Sequence, residues 1–363
     1  MTRNRRRAVV ALAAAVALLA PAGPAHAAPG WTTLLKDPSI GFVTALHAAS
    51  ARSLWAFVTV EGTQPNTDVT QARHWDGKKW RTYPLPVNGH VSSADSSSPS
   101  DVWAYVSPVP DQPETGAAIL HWDGRSWTVS HRPRREQASE SLITALGKGR
   151  AVTTVFTPKG TRVLTRSGGR WTGRTASGLG LSPVWPLSTR NMWALGDRLK
   201  GSGNEYVHHF DGAKWRRRQP PKALLKMGEK ECLRIWPGLP RSECPTGWVS
   251  ALVPHSAKNV LAVVRFMHPT ELTTVLRWNG SRWVRVPGHW PVTLYRTEAD
   301  GKGGFWAVGG SDDKLVRHYR AGVMTRVAAP KGAAGMHGLS VAPSGRVFVA
   351  SSYGYVWTRP AAR

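Results

Sequence analysis

Short runs of apolar residues, many alternating with polar ones, recur along the chain, broken by Gly, Pro and Asp-Gly steps. Alternation with period two marks half-buried strands, and short apolar runs bounded by turn residues mark buried ones. One unit shows the pattern whole. Val91 to Ala94 is a first run, and Val102-Trp103-Ala104-Tyr105-Val106 is a second. After a Pro-rich gap, Ala118-Ile119-Leu120-His121-Trp122 is a third, and Asp123-Gly124 leads to a fourth that opens on Trp127. Siblings carry Trp55, Trp193 and Trp306 in the second run and His74, His209 and His318 in the third. Trp80, Trp171, Trp215 and Trp283 open fourth runs. Helical spacing is confined to a short stretch at 222–230.

The spacing of the copies predicts the architecture. Trp55 and Trp103 stand 48 residues apart, and Trp103 and Trp193 are 90 apart, or two units of 45. The interval from Trp193 to Trp306 is too long for two units because of an insertion at 219–247. A repeat of about 40–50 residues with four strands each points to a β-propeller, in which packing neighbours buries both faces of every sheet. The seventh copy lacks its last strand, and the stretch from Trp31 to Lys36 is a last strand without its first three. Pairing it with Tyr355 to Thr358 closes a ring. The expectation is therefore an all-β fold: a seven-bladed β-propeller of four-stranded blades, closed by the N-terminal strand. Asp76-Gly77, Asp123-Gly124, Asp211-Gly212 and Asn279-Gly280 read as type I′ hairpin turns, with φ > 0 at both central residues.

The run Phe305-Trp-Ala-Val-Gly-Gly310 and the His-Trp-Asp-Gly-x-x-Trp of the first two copies, His74 to Trp80 and His121 to Trp127, resemble Kelch-type repeats. Repeats of that kind also build the central domain of galactose oxidase. The resemblance spans nearly all of the chain after residue 27 and implies a propeller. The double glycine survives only in copy six. Copper-radical chemistry of the galactose-oxidase type requires a Cys–Tyr crosslink beside Tyr and His ligands. Both cysteines here lie in one inserted loop, and no such constellation is present.

Charge and address add a compartment. Arg3, Arg5, Arg6 and Arg7 precede an apolar run from Ala8 to Ala20 and an Ala25-His26-Ala27 step. This order is that of a cleaved secretory signal, so residues 1–27 are expected to be removed, leaving 28–363 as one propeller domain. No later run is long enough for membrane insertion, and no Cys near the cleavage step suggests a lipid anchor. Export permits disulfides, and the even count pairs Cys232 with Cys244, two free thiols being the alternative. The formal charge is +26.

Strands in a blade alternate direction. Loops between first and second strands, and between third and fourth, share one face and are short and regular. The other face carries long, irregular loops at 61–70, 107–116, 130–140, 198–204, 219–247 and 287–291. Irregular loops on a rigid scaffold commonly carry function. The candidate binding residues on that face are His90, Arg134, Arg135, Glu140, Arg198, Trp236, Trp248, Trp290 and His337. Cations among aromatic rings suit an anionic polymer, a glycan or a protein partner, against the alternatives of generic surface charge and core packing. No cofactor, metal site or nucleic-acid motif is expected, and the chain is expected to be monomeric. A secreted, non-catalytic binding protein is the leading reading. The alternative is an extracellular polysaccharide-acting hydrolase or lyase with its site in the central funnel, for which Glu136, Glu140, Glu205 and Glu271 offer carboxylates of no set spacing.

Overall fold

The computed structural model describes residues 30–60, 69–108, 116–133, 142–198, 206–267, 271–310, 315–351 and 354–361. The signal region lies outside them. Seven four-stranded antiparallel sheets form the ring. Blade 1 holds β2 (Ile40–Ser50), β3 (Ser53–Val60), β4 (Val69–Trp75) and β5 (Trp80–Pro84). Blade 2 holds β6 (His90–Ser98), β7 (Asp101–Ser107), β8 (Ala118–Trp122) and β9 (Trp127–His131). Blade 3 runs through β10 (Ile143–Gly147), β11 (Arg150–Thr157), β12 (Gly160–Ser167) and β13 (Arg170–Ser177). Blade 4 comprises β14 (Leu179–Ser188), β15 (Asn191–Arg198), β16 (Tyr206–Phe210) and β17 (Trp215–Arg217). Blade 5 comprises β18 (Trp248–Ser256), β19 (Asn259–Phe266), β20 (Leu272–Trp278) and β21 (Trp283–Arg285). Blade 6 comprises β22 (Leu294–Ala299), β23 (Phe305–Gly309), β24 (Leu315–Arg320) and β25 (Val323–Val327). Blade 7 takes β26 (Met336–Val341), β27 (Val347–Ser351) and β28 (Tyr355–Arg359) from the C-terminal end and β1 (Thr32–Lys36) from the N-terminal end. Thr32 pairs with Thr358 and Lys36 with Tyr355, so the orphan strand closes the ring as expected.

The core is divided among the blade interfaces. Seven buried apolar clusters lie between successive blades, the last joining blade 7 to blade 1. The second-strand tryptophans Trp55, Trp103 and Trp193 are fully buried, and Trp306 is nearly so. Each stacks on the third-strand histidine it pairs with, at 4.4 Å for Trp55–His74, 4.1 Å for Trp103–His121, 4.5 Å for Trp193–His209 and 4.4 Å for Trp306–His318. The histidine Nε2 then meets a residue at the start of, or just before, the second strand: Ser53, Asp101, Asn191 or Asp300. A half-buried imidazole thus keeps a polar partner while its ring covers indole.

The Asp-Gly turns differ from the expectation. Only the glycines take positive φ, at 94°, 97°, 92° and 99°, while the Asp and Asn residues do not. The loop is four residues long, Trp75 pairing with Trp80, rather than two. Asp76 Oδ1 accepts hydrogen bonds from the backbone N–H groups of Lys78 and Lys79, and Asp123, Asp211 and Asn279 do the same in their own turns. The side chain stands in for a backbone turn, which is why an acceptor recurs there.

Candidate functional site

The first strand of every blade lines the central channel and runs from the long-loop face to the short-loop face. The channel holds a cavity of about 410 Å³. One residue of each first strand pairs with the second-strand position that Trp occupies in four blades. His47 pairs with Trp55, Asp95 with Trp103, Thr144 with Val152 and Trp185 with Trp193. Val253 pairs with Leu261, Glu298 with Trp306 and Ser340 with Phe348. These seven form a ring, and all of them line the cavity.

Most polar members of the ring reach the next blade. His47 Nε2 is 2.7 Å from Ser96 Oγ and 3.6 Å from Asp95 Oδ1. Asp95 accepts from the backbone N–H groups of Ser96 and Ala145, and Ser340 Oγ accepts from Ala48 N–H at 2.9 Å. Glu298 has no hydrogen-bond partner among the described residues. Its side chain is exposed to the lumen, with the first strands of the other blades facing it across the channel. Burial, reinforced by the charge of Asp95, pushes its carboxyl up to about 8 against the pull of Arg296. Burial also raises Asp95, although His47 and the two N–H groups oppose it. Burial lowers the His47 imidazole against the pull of Asp95. Among the described residues no group of three or more His, Cys, Asp or Glu is placed to hold a metal ion.

The predicted rim residues are spread out. Arg134, Arg135 and Glu140 lie outside the described residues. His90 and His337 are exposed at the long-loop ends of β6 and β26, and Arg198 is exposed at the end of β15. Trp248 is half-buried, with the Arg265 guanidinium 5.7 Å from its ring, and Arg265 in turn contacts Glu271. Trp290 is half-buried; its backbone bonds Thr273, and its ring meets Tyr319 edge-on at 5.8 Å. Trp236 is 9% exposed and belongs to the core between blades 4 and 5. None of these six lines the central cavity.

The insertion is a packed element. Helical turns α1 (Lys222–Leu225) and α2 (Glu229–Ile235) open it, and Cys232 within α2 is bonded to Cys244, with Cα atoms 5.9 Å apart. Leu225, Met227, Cys232, Trp236 and Cys244 join the apolar cluster of blades 4 and 5. Arg285 donates to the carbonyls of Leu224 and Lys226 at 2.7 and 2.9 Å, tying the C-terminal end of α1 to blade 5. His289 Nδ1 lies 2.7 Å from Glu231 Oε1, out of line for a hydrogen bond, in a buried contact that ties α2 to the link between blades 5 and 6. No residue of the insertion lines the channel, so it extends an interface between blades and does not cover the funnel.

The residues that sequence reasoning missed are His47, Asp95 and Glu298. A signal was present: each stands eight positions before the second-strand Trp it pairs with.

No family model and no curated protein matches the chain in sequence. Solved structures match it in fold. YCF48 bound to D1 peptide aligns with a TM-score of 0.58 at 14% identity, covering 94% of this chain and 99% of that one. The RRP9 WD40 repeats align at 0.59 and 12% identity, covering 93% and 99%. The GH74 enzyme of Niastella koreensis aligns at 0.56 and 14% identity, covering 91% of this chain and 52% of that one. At such identities the likeness is one of fold, and the fold serves both binding proteins and enzymes.

Proposed function

We propose that the chain is a secreted, non-catalytic binding propeller of Kelch-like repeat type. It takes an acidic extracellular partner, whether polymer, glycan or protein, on its long-loop face. One observation carries the reading. Of the six exposed large hydrophobic residues among those described, Phe42, Val69, Leu142, Met267 and Tyr295 lie toward that face, and Val323 lies at the other. Exposed cations stand at the same end: Arg132, Arg198, Arg217 and Arg218. Arg217 sits 3.6 Å from the Tyr206 ring centroid, a flat cation–aromatic surface open to an anion. The short-loop face is basic too, with Lys78, Lys79, Arg125 and Lys214 exposed, but it presents only Val323 of the large apolar residues and spends its turn carboxylates on its own backbone.

The test is retention on a polyanion such as polygalacturonate across a salt series, comparing the native chain with Arg198→Ser/Arg217→Ser/Arg218→Ser. Affinity should fall about tenfold or more in the triple variant, with a shallower salt dependence, because rim charges act mainly through screened attraction. Salt-independent retention, or a variant that binds as the native chain does, rules out the acidic-partner reading. The polysaccharide-acting enzyme alternative draws support from Asp95 and Glu298 sharing one lumen. Cleavage of polygalacturonate that disappears in Glu298→Gln would favour it.

A further inference from the structure

We infer that the central channel is a seat for one uncharged, polyhydroxylated unit, such as a single sugar ring, entered from the long-loop face and anchored on the Glu298 carboxyl. This is independent of the acidic partner proposed for the rim.

Two positions before the ring, toward the long-loop face, four of the seven first strands carry Ala45, Ser93, Ala251 and Gly338, paired with Phe57, Tyr105, Val263 and Ala350, while Leu142, Pro183 and Arg296 hold the position in the other three. The four small side chains widen the channel above the ring on their side and leave a cup. Its volume of about 410 Å³ falls in the range of small-ligand sites, roughly 300–1,000 Å³. Tyr295, half-exposed, and Trp185 contribute aromatic surface to the wall, suited to the C–H face of a pyranose.

The polar groups give the chemistry. His47, Asp95 and Ser340 spend their hydrogen bonds on Ser96, Ala145 and Ala48 of neighbouring blades. Glu298 does not: its carboxyl is exposed to the lumen and makes no hydrogen bond to the described residues, so both of its oxygens are open to a ligand that enters the channel. Arg296 stands one layer nearer the mouth, and the whole chain is strongly basic, so the approach disfavours an organic cation. The groups that face Glu298 are Asp95 across the lumen, His47 beside Asp95, and Arg296 on its own strand. On the adjacent first strands, His255 is held near Asp300 at the short-loop end and His337 is exposed at the mouth. Around neutral pH the Glu298 carboxyl keeps its proton, offering a donor and an acceptor to a pair of vicinal hydroxyls.

The experiment titrates the intact chain with neutral methyl glycosides of the gluco, galacto and manno series, read by saturation-transfer NMR, with n-butylamine as the cationic probe. At least one glycoside should bind. Glu298→Ala should weaken it about tenfold, whereas Glu298→Gln, which keeps a donor and an acceptor, should stay within about threefold. Native binding should fall as pH passes about 8, and the Gln variant should stay flat. Tyr295→Ala, at a half-exposed position that the fold does not need, should weaken binding without lowering the melting temperature. Should the Ala variant not fold, the pH profiles of the native and Gln chains decide. Failure of all three glycosides, an unchanged Ala variant, or amine binding that strengthens above pH 8 overturns the inference. Tyr295 also belongs to the rim surface, so the Glu298 variants, which leave the rim unchanged, are the ones that separate this inference from polyanion retention.

Discussion

Two layers of the molecule, one strand apart, follow opposite rules. On the second and third strands, blades 1, 2, 4 and 6 repeat the same Trp on the same His. On the first strand, at the position paired with that Trp, the seven blades carry His, Asp, Thr, Trp, Val, Glu and Ser. Backbone geometry is shared, so geometry does not force the variety. In those four blades the outer layer meets the same demand: fill the wedge between blades and satisfy one imidazole. The inner layer faces a lumen, where packing asks little and chemistry is free to differ. Repetition marks scaffold, and its absence on the same register marks the place where a ligand could be recognised.

The sharpest way to break the contrast is to remove one member of the repeated layer. Trp103 is fully buried against His121, the edge of Trp171 and the Arg166 guanidinium. Trp103→Ala should destabilise the fold by about 3–5 kcal/mol, the range for deleting a large aromatic from a core. Urea denaturation at pH 7.5 measures it. A cost below about 1 kcal/mol would mean that the blade interface collapses around the gap and that the repeated Trp is not what holds the wedge.

The same contrast explains what could be read without coordinates. Trp55, Trp103, Trp193 and Trp306 set a period, so blade number and the closing strand followed from counting. The turns were harder, because Asp-Gly in a two-residue loop and Asp-Gly in a four-residue loop look alike, and only the partner of Trp75 tells them apart. Trp236 lacks a sibling and so reads as a ligand contact. It is buried because the insertion packs its own apolar residues onto blades 4 and 5. Asp95 and Glu298 share a register but not a residue type, so repeat counting passes over them. Their chemistry arises from meeting across a channel, which no local spacing displays.

A second measurement separates the two layers by pH. Burial holds His74, His209 and His318 below the ordinary imidazole value of 6.5, outweighing the carboxylates near them. A depressed histidine contributes stability in full above 6.5 and loses it as pH falls through the folded-state value, because the unfolded chain takes up the proton first. Stability should therefore decline from about pH 6.5 downward. Asp300 titrates in a separate window: burial alone would raise it, but the N–H groups of Lys302 and Gly304, with His318 and Arg320, hold it at about 2. Its contribution is lost only below the ordinary carboxylate value of 3.8. His209→Gln keeps an amide toward Asn191 and removes one titration, so its denaturation midpoint should fall less between pH 7.5 and 5.5 than that of the native chain. An equal fall would take His209 out of the acid response.

The smallest expected effect has the opposite sign and belongs to the inner layer. Glu298 holds a proton that the unfolded chain gives up near 4.5. Below that pH both states are protonated and the residue costs nothing by ionisation. Between 4.5 and about 8 the unfolded state ionises while the folded state does not, so the penalty grows with pH and then levels off. Lumen water screens part of it, which leaves about 1 kcal/mol. Glu298→Gln should thus leave stability unchanged at pH 4 and raise it by about that amount at pH 8.5, measured by urea midpoints. A gain at pH 4 would mean that the amide simply packs better, and a loss at pH 8.5 would mean that the carboxylate is paired in the folded chain. A stabilising substitution on the ring, beside a costly one in the layer behind it, would show that the inner position is occupied at the expense of stability, as a recognition site commonly is.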